Sequence, residues 1–144
     1  MIRATPEAVF EELGDPSLWF ALLHHSVWKS GATSGVNALR EVQVHGFGAF
    51  RERMLAWDPG RRVAFTMIGT TSPLVARMAE DMVIEPLGDG VRFHWNVVAE
   101  PTALGRIIQP GLGGILRGLF MQSARNLAKR TRWSEGRVAA THGA

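Results

Sequence analysis

Hydrophobic positions along the chain change period part-way. Between residues 111 and 132, Leu112, Ile115, Leu116, Leu119, Phe120, Ser123 and Leu127 recur at three- and four-residue steps. Arg117, Arg125, Lys129 and Arg132 fall on the other side. This spacing predicts an amphipathic helix of about five turns, and Arg125, Lys129, Arg130 and Arg132 place cations where its dipole favours them. From Gly35 to Glu100 the period is nearer two, the mark of strands. A sheet with one apolar face needs a cover, and the C-terminal helix is the natural one.

Two short helices are predicted ahead of the sheet. Thr5 caps the first and Pro6 opens it, with Gly14 as its stop. Asp15-Pro16-Ser17 opens the second, which carries Trp19, Phe20, Leu22 and Leu23. Strands are predicted over 24–30, 36–44, 48–57, 62–70, 75–87 and 91–100. The turns between them lie at Gly31–Gly35, at His45-Gly46-Phe47, at Asp58-Pro59-Gly60-Arg61, at Thr71-Ser72-Pro73 and at Gly88-Asp89-Gly90. The segment from Pro101 to Pro110 leads into the long helix. Residues 1–133 read as one domain and 134–144 as a flexible tail.

Hairpin lengths set the strand faces. A three-residue loop at 45–47 pairs Val44 with Gly48, Val42 with Phe50, Arg40 with Glu52 and Ala38 with Met54. The turn at 58–61 pairs Ala56 with Val63 and Met54 with Phe65. The last hairpin pairs Pro86 with Phe93, Ile84 with Trp95, Met82 with Val97 and Glu80 with Ala99. Val42, Phe50, Met54, Phe65, Met67, Met82, Ile84, Phe93, Trp95 and Val97 then share the face the helix covers. Arg51, Arg53, Arg62, Asp81, Glu85 and Arg92 face solvent. A two-residue loop at 45–47 would flip the 36–44 strand and expel Arg40.

Composition narrows the classes. With 144 residues, 46% hydrophobic and 20% charged, the chain is an ordinary globular domain. It has no cysteine, which excludes disulfides, thiolate metal sites and cysteine nucleophiles and is compatible with a reducing cytoplasm. No secretory signal is apparent near the start, and no apolar run approaches the roughly 18–20 residues of a membrane span. The pI near 10.5 suggests nucleic acid, yet the net charge is only +3. The high value comes from arginine, which barely titrates, and no basic block is interleaved with aromatics. Nucleic-acid binding is not expected.

The motifs themselves carry a resemblance. Ala4-Thr5-Pro6-Glu7-Ala8-Val9-Phe10, Trp19, Gly46-Phe47-Gly48 and Arg51-Glu52 resemble the START-like superfamily, also called SRPBCC. Trp57-Asp58-Pro59-Gly60-Arg61 and residues 85–92 followed by Trp95 extend the match to residues 2–132. The chain is most similar to bacterial polyketide cyclase/dehydrase-like members. That resemblance implies an α+β helix-grip fold: a curved antiparallel sheet wrapped around a long C-terminal helix, with two short N-terminal helices and an apolar cavity. Members usually begin with a full strand, whereas only Met1-Ile2-Arg3 precede the first motif. Either that edge strand is very short or the true start lies upstream.

Fold does not give function here, because members include carriers, receptors, cyclases and chaperone activators. Arg40 and Glu52, if inward, form a cross-strand ion pair that anchors a ligand or, more simply, satisfies itself. Glu80 also lands inside, where burial would raise its pKa and suit it to acid/base work; near a strand end it would merely be solvated. His24 and His25, with Ser26, sit at a plausible cavity entrance, but adjacent residues of a strand point opposite ways and do not readily chelate one metal. His94 falls on the outer face and His45 in a turn. Gly111-Leu112-Gly113-Gly114 lacks the strand and the Gly-Lys-Ser/Thr of a phosphate loop and is read as a close approach to the sheet or a hinge.

The leading expectation is a non-catalytic, cytoplasmic binding module for a hydrophobic or amphipathic small molecule, lipid or polyketide-like. Met54, Phe65, Met67, Met82, Trp95, Leu116 and Phe120 would line the site, with Arg40, Glu52 and Glu80 as polar anchors. No cofactor, metal or stable membrane insertion is expected, and a monomer or homodimer is. The alternatives are an aromatase/cyclase-like enzyme using Glu80 or Glu52, with the absence of tyrosine weighing against it, and an interaction or stress-response module with a vestigial cavity.

Overall fold

A computed structural model describes residues 1–29 and 34–142, with side chains as far as Arg132. Helix α1 spans Pro6–Leu13, and Thr5 Oγ1 accepts the Ala8 N–H at 3.2 Å as its cap. The predicted second helix is only one 3-10 turn, Pro16–Leu18, capped by Asp15. Six strands follow: β1 (Leu23–Trp28), β2 (Leu39–Val44), β3 (Gly48–Asp58), β4 (Arg62–Thr70), β5 (Val75–Leu87) and β6 (Gly90–Pro101). They form one antiparallel sheet in sequence order, and helix α2 (Ala103–His142) lies across it. Before the first helix, Ile2 makes a single bridge to Val91, so pairing there is very short.

The β2–β3 register is the one the three-residue loop predicts, with Arg40 opposite Glu52 and Val42 opposite Phe50. Two expected pairings shift. A bulge between Met54 and Ala56 sets Ala56 against Ala64 rather than Val63, while Met54 still faces Phe65. The last hairpin closes more tightly, with Leu87 opposite Gly90 and Glu80 opposite Val97. Gly88 makes this turn possible, because its φ of +61° is one that side chains rarely adopt. The slip is two residues, which conserves the alternation, so every side chain keeps its face. The expected turn at 31–35 and the end of the first strand at Ser30 lie largely outside the described residues.

Helix α2 departs more from expectation. It begins at Ala103, not near Gly111, and carries Pro110 within it. Thr102 starts it: Thr102 Oγ1 accepts the Gly105 N–H at 3.0 Å and donates to the Pro73 carbonyl at 2.6 Å. Gly105 is where the backbone comes close, since a Cβ there would collide with the Leu74 carbonyl. By contrast, a Cβ at Gly111, Gly113 or Gly114 would meet nothing within 4 Å. The expected close approach of that glycine run is therefore corrected to Gly105. Ile115 is corrected too, being 61% exposed on the outer side. The backbone remains helical to His142, where the sequence predicts a tail from Ser134.

The packed core lies at one end, between the sheet, α1 and the C-terminal part of α2. Val9, Leu13, Met54, Val63, Val91 and Leu127 are essentially inaccessible there. The other end is not filled, and the candidate site lies there.

Candidate functional site

A cavity of about 260 Å³ lies between the sheet and the N-terminal part of α2. Its floor comes from alternate positions on β2–β6, including Val42, Phe50, Phe65, Met82 and Trp95. Leu112, Leu116, Leu119 and Phe120 of α2 roof it. Trp19 and Phe20, just after the 3-10 turn, close one side. Their rings meet Trp95 edge-on at 5.5 and 5.7 Å, and Phe120 meets Trp95 at 4.7 Å, so four aromatics form a continuous wall.

Three ionisable side chains enter this apolar space. Arg40 and Glu52, directly opposite on β2 and β3, form an ion pair of 2.8 Å and are almost fully buried. Arg40 also donates to the Leu13 carbonyl at 3.3 Å, and its guanidinium lies over the Trp28 and Phe65 rings, 5.5 and 5.2 Å from their centroids. Burial pushes the Glu52 carboxyl upward, against the pull of Arg40. Each is the other's closest polar partner in an otherwise apolar space, so the two form a locked unit.

Glu80 is different. Its carboxyl accepts the Trp95 indole N–H at 2.7 Å, a neutral partner reached diagonally across the β5–β6 pair. Burial raises its pKa to about 7, with the nearby Glu52 charge adding to the rise and Trp95 and Arg40 opposing it. Near neutral pH it is thus divided between an O–H donor and a carboxylate. Such a group can hydrogen-bond a ligand oxygen or exchange a proton with one.

The expected site residues divide accordingly. Arg40, Glu52, Phe65, Glu80, Met82, Trp95, Leu116 and Phe120 all line the cavity. Met54 and Met67 do not. Met54 is fully buried in the packed end of the core. Met67 follows the last β4–β5 pair, Thr66–Ala79, and sits opposite Glu52 beside a bulge. His24 and His25 are exposed because a bulge interrupts β1 between Leu23 and His25. Leu23 lines the cavity in their place, and His24 stacks on His45 at 3.9 Å. His94 lies on the outer face, 3.1 Å from Glu85. Among the described residues no group of three or more His, Asp or Glu could hold a metal ion. Sequence reasoning missed Trp19, Phe20, Met78 and Leu112 as lining residues. Adjacent aromatics directly after a capped Pro16 turn were the available signal for the first two.

A curved antiparallel sheet, a covering C-terminal helix and an apolar cavity between them define a helix-grip protein. The chain belongs to the family described as polyketide cyclase/dehydrase and lipid transport, whose model matches residues 1–132. No curated protein matches it. Solved structures show the same fold at low identity. A protein from Thermus thermophilus superposes with a TM-score of 0.74 at 18% identity, covering 92% of this chain and 93% of its own. The Zhui aromatase/cyclase from a Streptomyces species gives 0.70 at 14% identity over 91% and 88%. Major latex-like protein 151 of ginseng, Panax ginseng, gives 0.67 at 11% over 90% and 91%. No helix among the described residues is long and apolar enough to cross a membrane.

Proposed function

We propose that the protein binds a compact hydrophobic or amphipathic molecule, lipid or polyketide-like, in this cavity, and that Glu80 is the polar group that recognises it. One observation carries the reading: a cavity walled by aromatics and aliphatics holds one carboxyl whose hydrogen-bond partner is a neutral indole. Arg40 and Glu52 are occupied with each other, so they shape the cavity and set its field rather than grip a ligand. At about 260 Å³ the space falls just below the usual range of roughly 300–1,000 Å³ for ligand pockets. The ligand is therefore small, or its tail leaves through the mouth. Its preferred polar group is a carbonyl or hydroxyl oxygen, which accepts the Glu80 O–H; a ligand carboxylate would be repelled by Glu80 in its ionised form.

The cyclase reading has its own support in the elevated pKa of Glu80. A carboxyl that titrates near 7 can remove a proton next to a substrate carbonyl and return it to an oxygen. Glu80→Gln separates the two readings, since it keeps a hydrogen-bond donor for a bound carbonyl but cannot exchange a proton. The vestigial-cavity reading is disfavoured by the unfilled space itself. Native mass spectrometry of the protein from its own host tests binding: a retained mass lost on denaturation is expected. A bare protein that stays bare after incubation with host lipid extract would defeat the proposal.

A further inference from the structure

The outer surface of α2 has a property that its role as a roof does not explain. Gly105, Leu112, Leu116 and Leu119 face the cavity, so the opposite side of a helix on a soluble domain should be polar. It is not. Leu104, Ile107, Ile115 and Met121 are exposed, Ile107 by 76% and Ile115 by 61%. Leu104, Ile107, Gly111, Ile115 and Gly118 follow one another at three- and four-residue steps, forming one stripe. The glycines leave the backbone bare between the isoleucines, since a Cβ at Gly111, Gly114 or Gly118 would touch nothing within 4 Å. Between 103 and 121 the only charged residues are Arg106 and Arg117, both exposed.

Charge is the second observation. The helix from Ala103 to Arg132 carries six of the chain's 16 basic residues and none of its 13 acidic ones. Arg130 is committed to Glu12 at 2.6 Å, while Arg106, Arg117, Arg125, Lys129 and Arg132 are exposed. An apolar stripe flanked by cations only, on a helix unable to span a bilayer, has the character of a surface-lying amphipathic segment. Symmetric pairing of two copies through this face would bring like charges together, and in such an interface the same patch meets itself.

We propose that the outer face of α2, centred on Ile107 and Ile115 and flanked by Arg106 and Arg117, docks the protein on an anionic lipid bilayer. In that orientation the apolar stripe enters the headgroup–acyl boundary and the arginines meet lipid phosphates. The same turns that touch the bilayer carry Leu112 and Leu116 over the cavity, so docking places the cavity roof at the membrane. The inference rests on the outer face alone and holds whatever the cavity contains.

Co-sedimentation with large unilamellar vesicles tests it, using phosphatidylcholine alone or mixed with phosphatidylglycerol. Partition onto the anionic vesicles is expected to be about tenfold or more stronger than onto neutral ones at low salt, and to weaken as salt shortens the screening length. Ile107→Glu with Ile115→Glu should reduce it by about tenfold while leaving the melting temperature unchanged, because both side chains are exposed. Arg106→Ala with Arg117→Ala should remove most of the preference for anionic lipid. Leu116→Trp, which fills the cavity from within, should sediment like the wild type, so a failed cavity reading and a failed docking reading are told apart. Absence of sedimentation with anionic vesicles, or sedimentation insensitive to the glutamate pair, overturns the proposal. So does a concentration-dependent dimer that the glutamate pair abolishes, since the patch would then be a protein interface.

Discussion

The two halves of α2 belong to one helix and do different work. From Ser123 onward it is built into the fold. Ser123, Leu127 and Thr131 are inaccessible, and Ser123 Oγ accepts the Ala21 N–H at 2.9 Å while donating to the Leu119 carbonyl at 2.8 Å. Asn126 donates to the Trp19 carbonyl at 3.1 Å, and Arg130 pairs with Glu12. Before Ser123 the helix is held at its first turn, through Thr102 and Gly105 against the 73–74 segment, and otherwise spans the cavity. One half is packed into the core; the other lines an unfilled cavity with its inner face and leaves its outer face apolar. Helices held mainly at their ends are suited to local opening, because little packing is lost when they move.

Breaking the packed half should produce the largest effect. Leu127→Ala removes a fully buried side chain from a filled core and is expected to cost about 3 kcal/mol in chemical denaturation. The same truncation at Leu116, which already borders empty space, should cost about 1 kcal/mol or less. Equal losses at the two positions would mean that the roof is as tightly packed as the anchor.

A smaller effect of opposite sign sharpens the contrast. Gly114→Ala adds a methyl where nothing lies within 4 Å and relieves a helical glycine, so it should stabilise by about 0.5–1 kcal/mol. Gly105→Ala, at the docking point of the same helix, should instead destabilise by about 2 kcal/mol because its methyl has no room beside the Leu74 carbonyl. A gain at both positions, seen in the melting curves, would show that the roof is not pinned at its start.

The sheet half of the site was more legible than the helix half, for physical reasons. Hairpin loop length and the strand period together place Arg40, Glu52 and Glu80 inside, and period two protects that assignment even where the β5–β6 pairing slips by two residues. A bulge has no such protection: Leu55 and His24 are extra residues that no local pattern marks, and with them went Ala56–Val63 and the entrance role of the histidines. On the helix side, Pro110 reads as a breaker, so the sequence predicts helix only from Gly111 and takes 101–110 as a lead-in, whereas the helix begins at Ala103. Pro110 removes one N–H and crowds the carbonyl four residues before it, and anchoring at Thr102 and Gly105 on one side and from Ser123 onward on the other outweighs that local cost. Periodicity puts Ile115 on the inner face yet the side chain is exposed, because the period alone does not say how wide a face is covered.

Recognition of a ligand oxygen by protonated Glu80 within the apolar cavity is the central proposal. The most direct test is the affinity of a neutral carbonyl-bearing dye, Nile red, followed by fluorescence from pH 6 to pH 8 in the wild type and in Glu80→Gln. With a pKa of about 7, Glu80 is mostly protonated at the lower pH and mostly ionised at the higher. Apparent affinity tracks the fraction of competent protein, so wild-type binding should weaken about tenfold as pH rises. Glu80→Gln should bind at both pH values with little change. No binding by either protein, or the same pH dependence in both, would contradict the claim that this carboxyl is the polar contact of an apolar binding site.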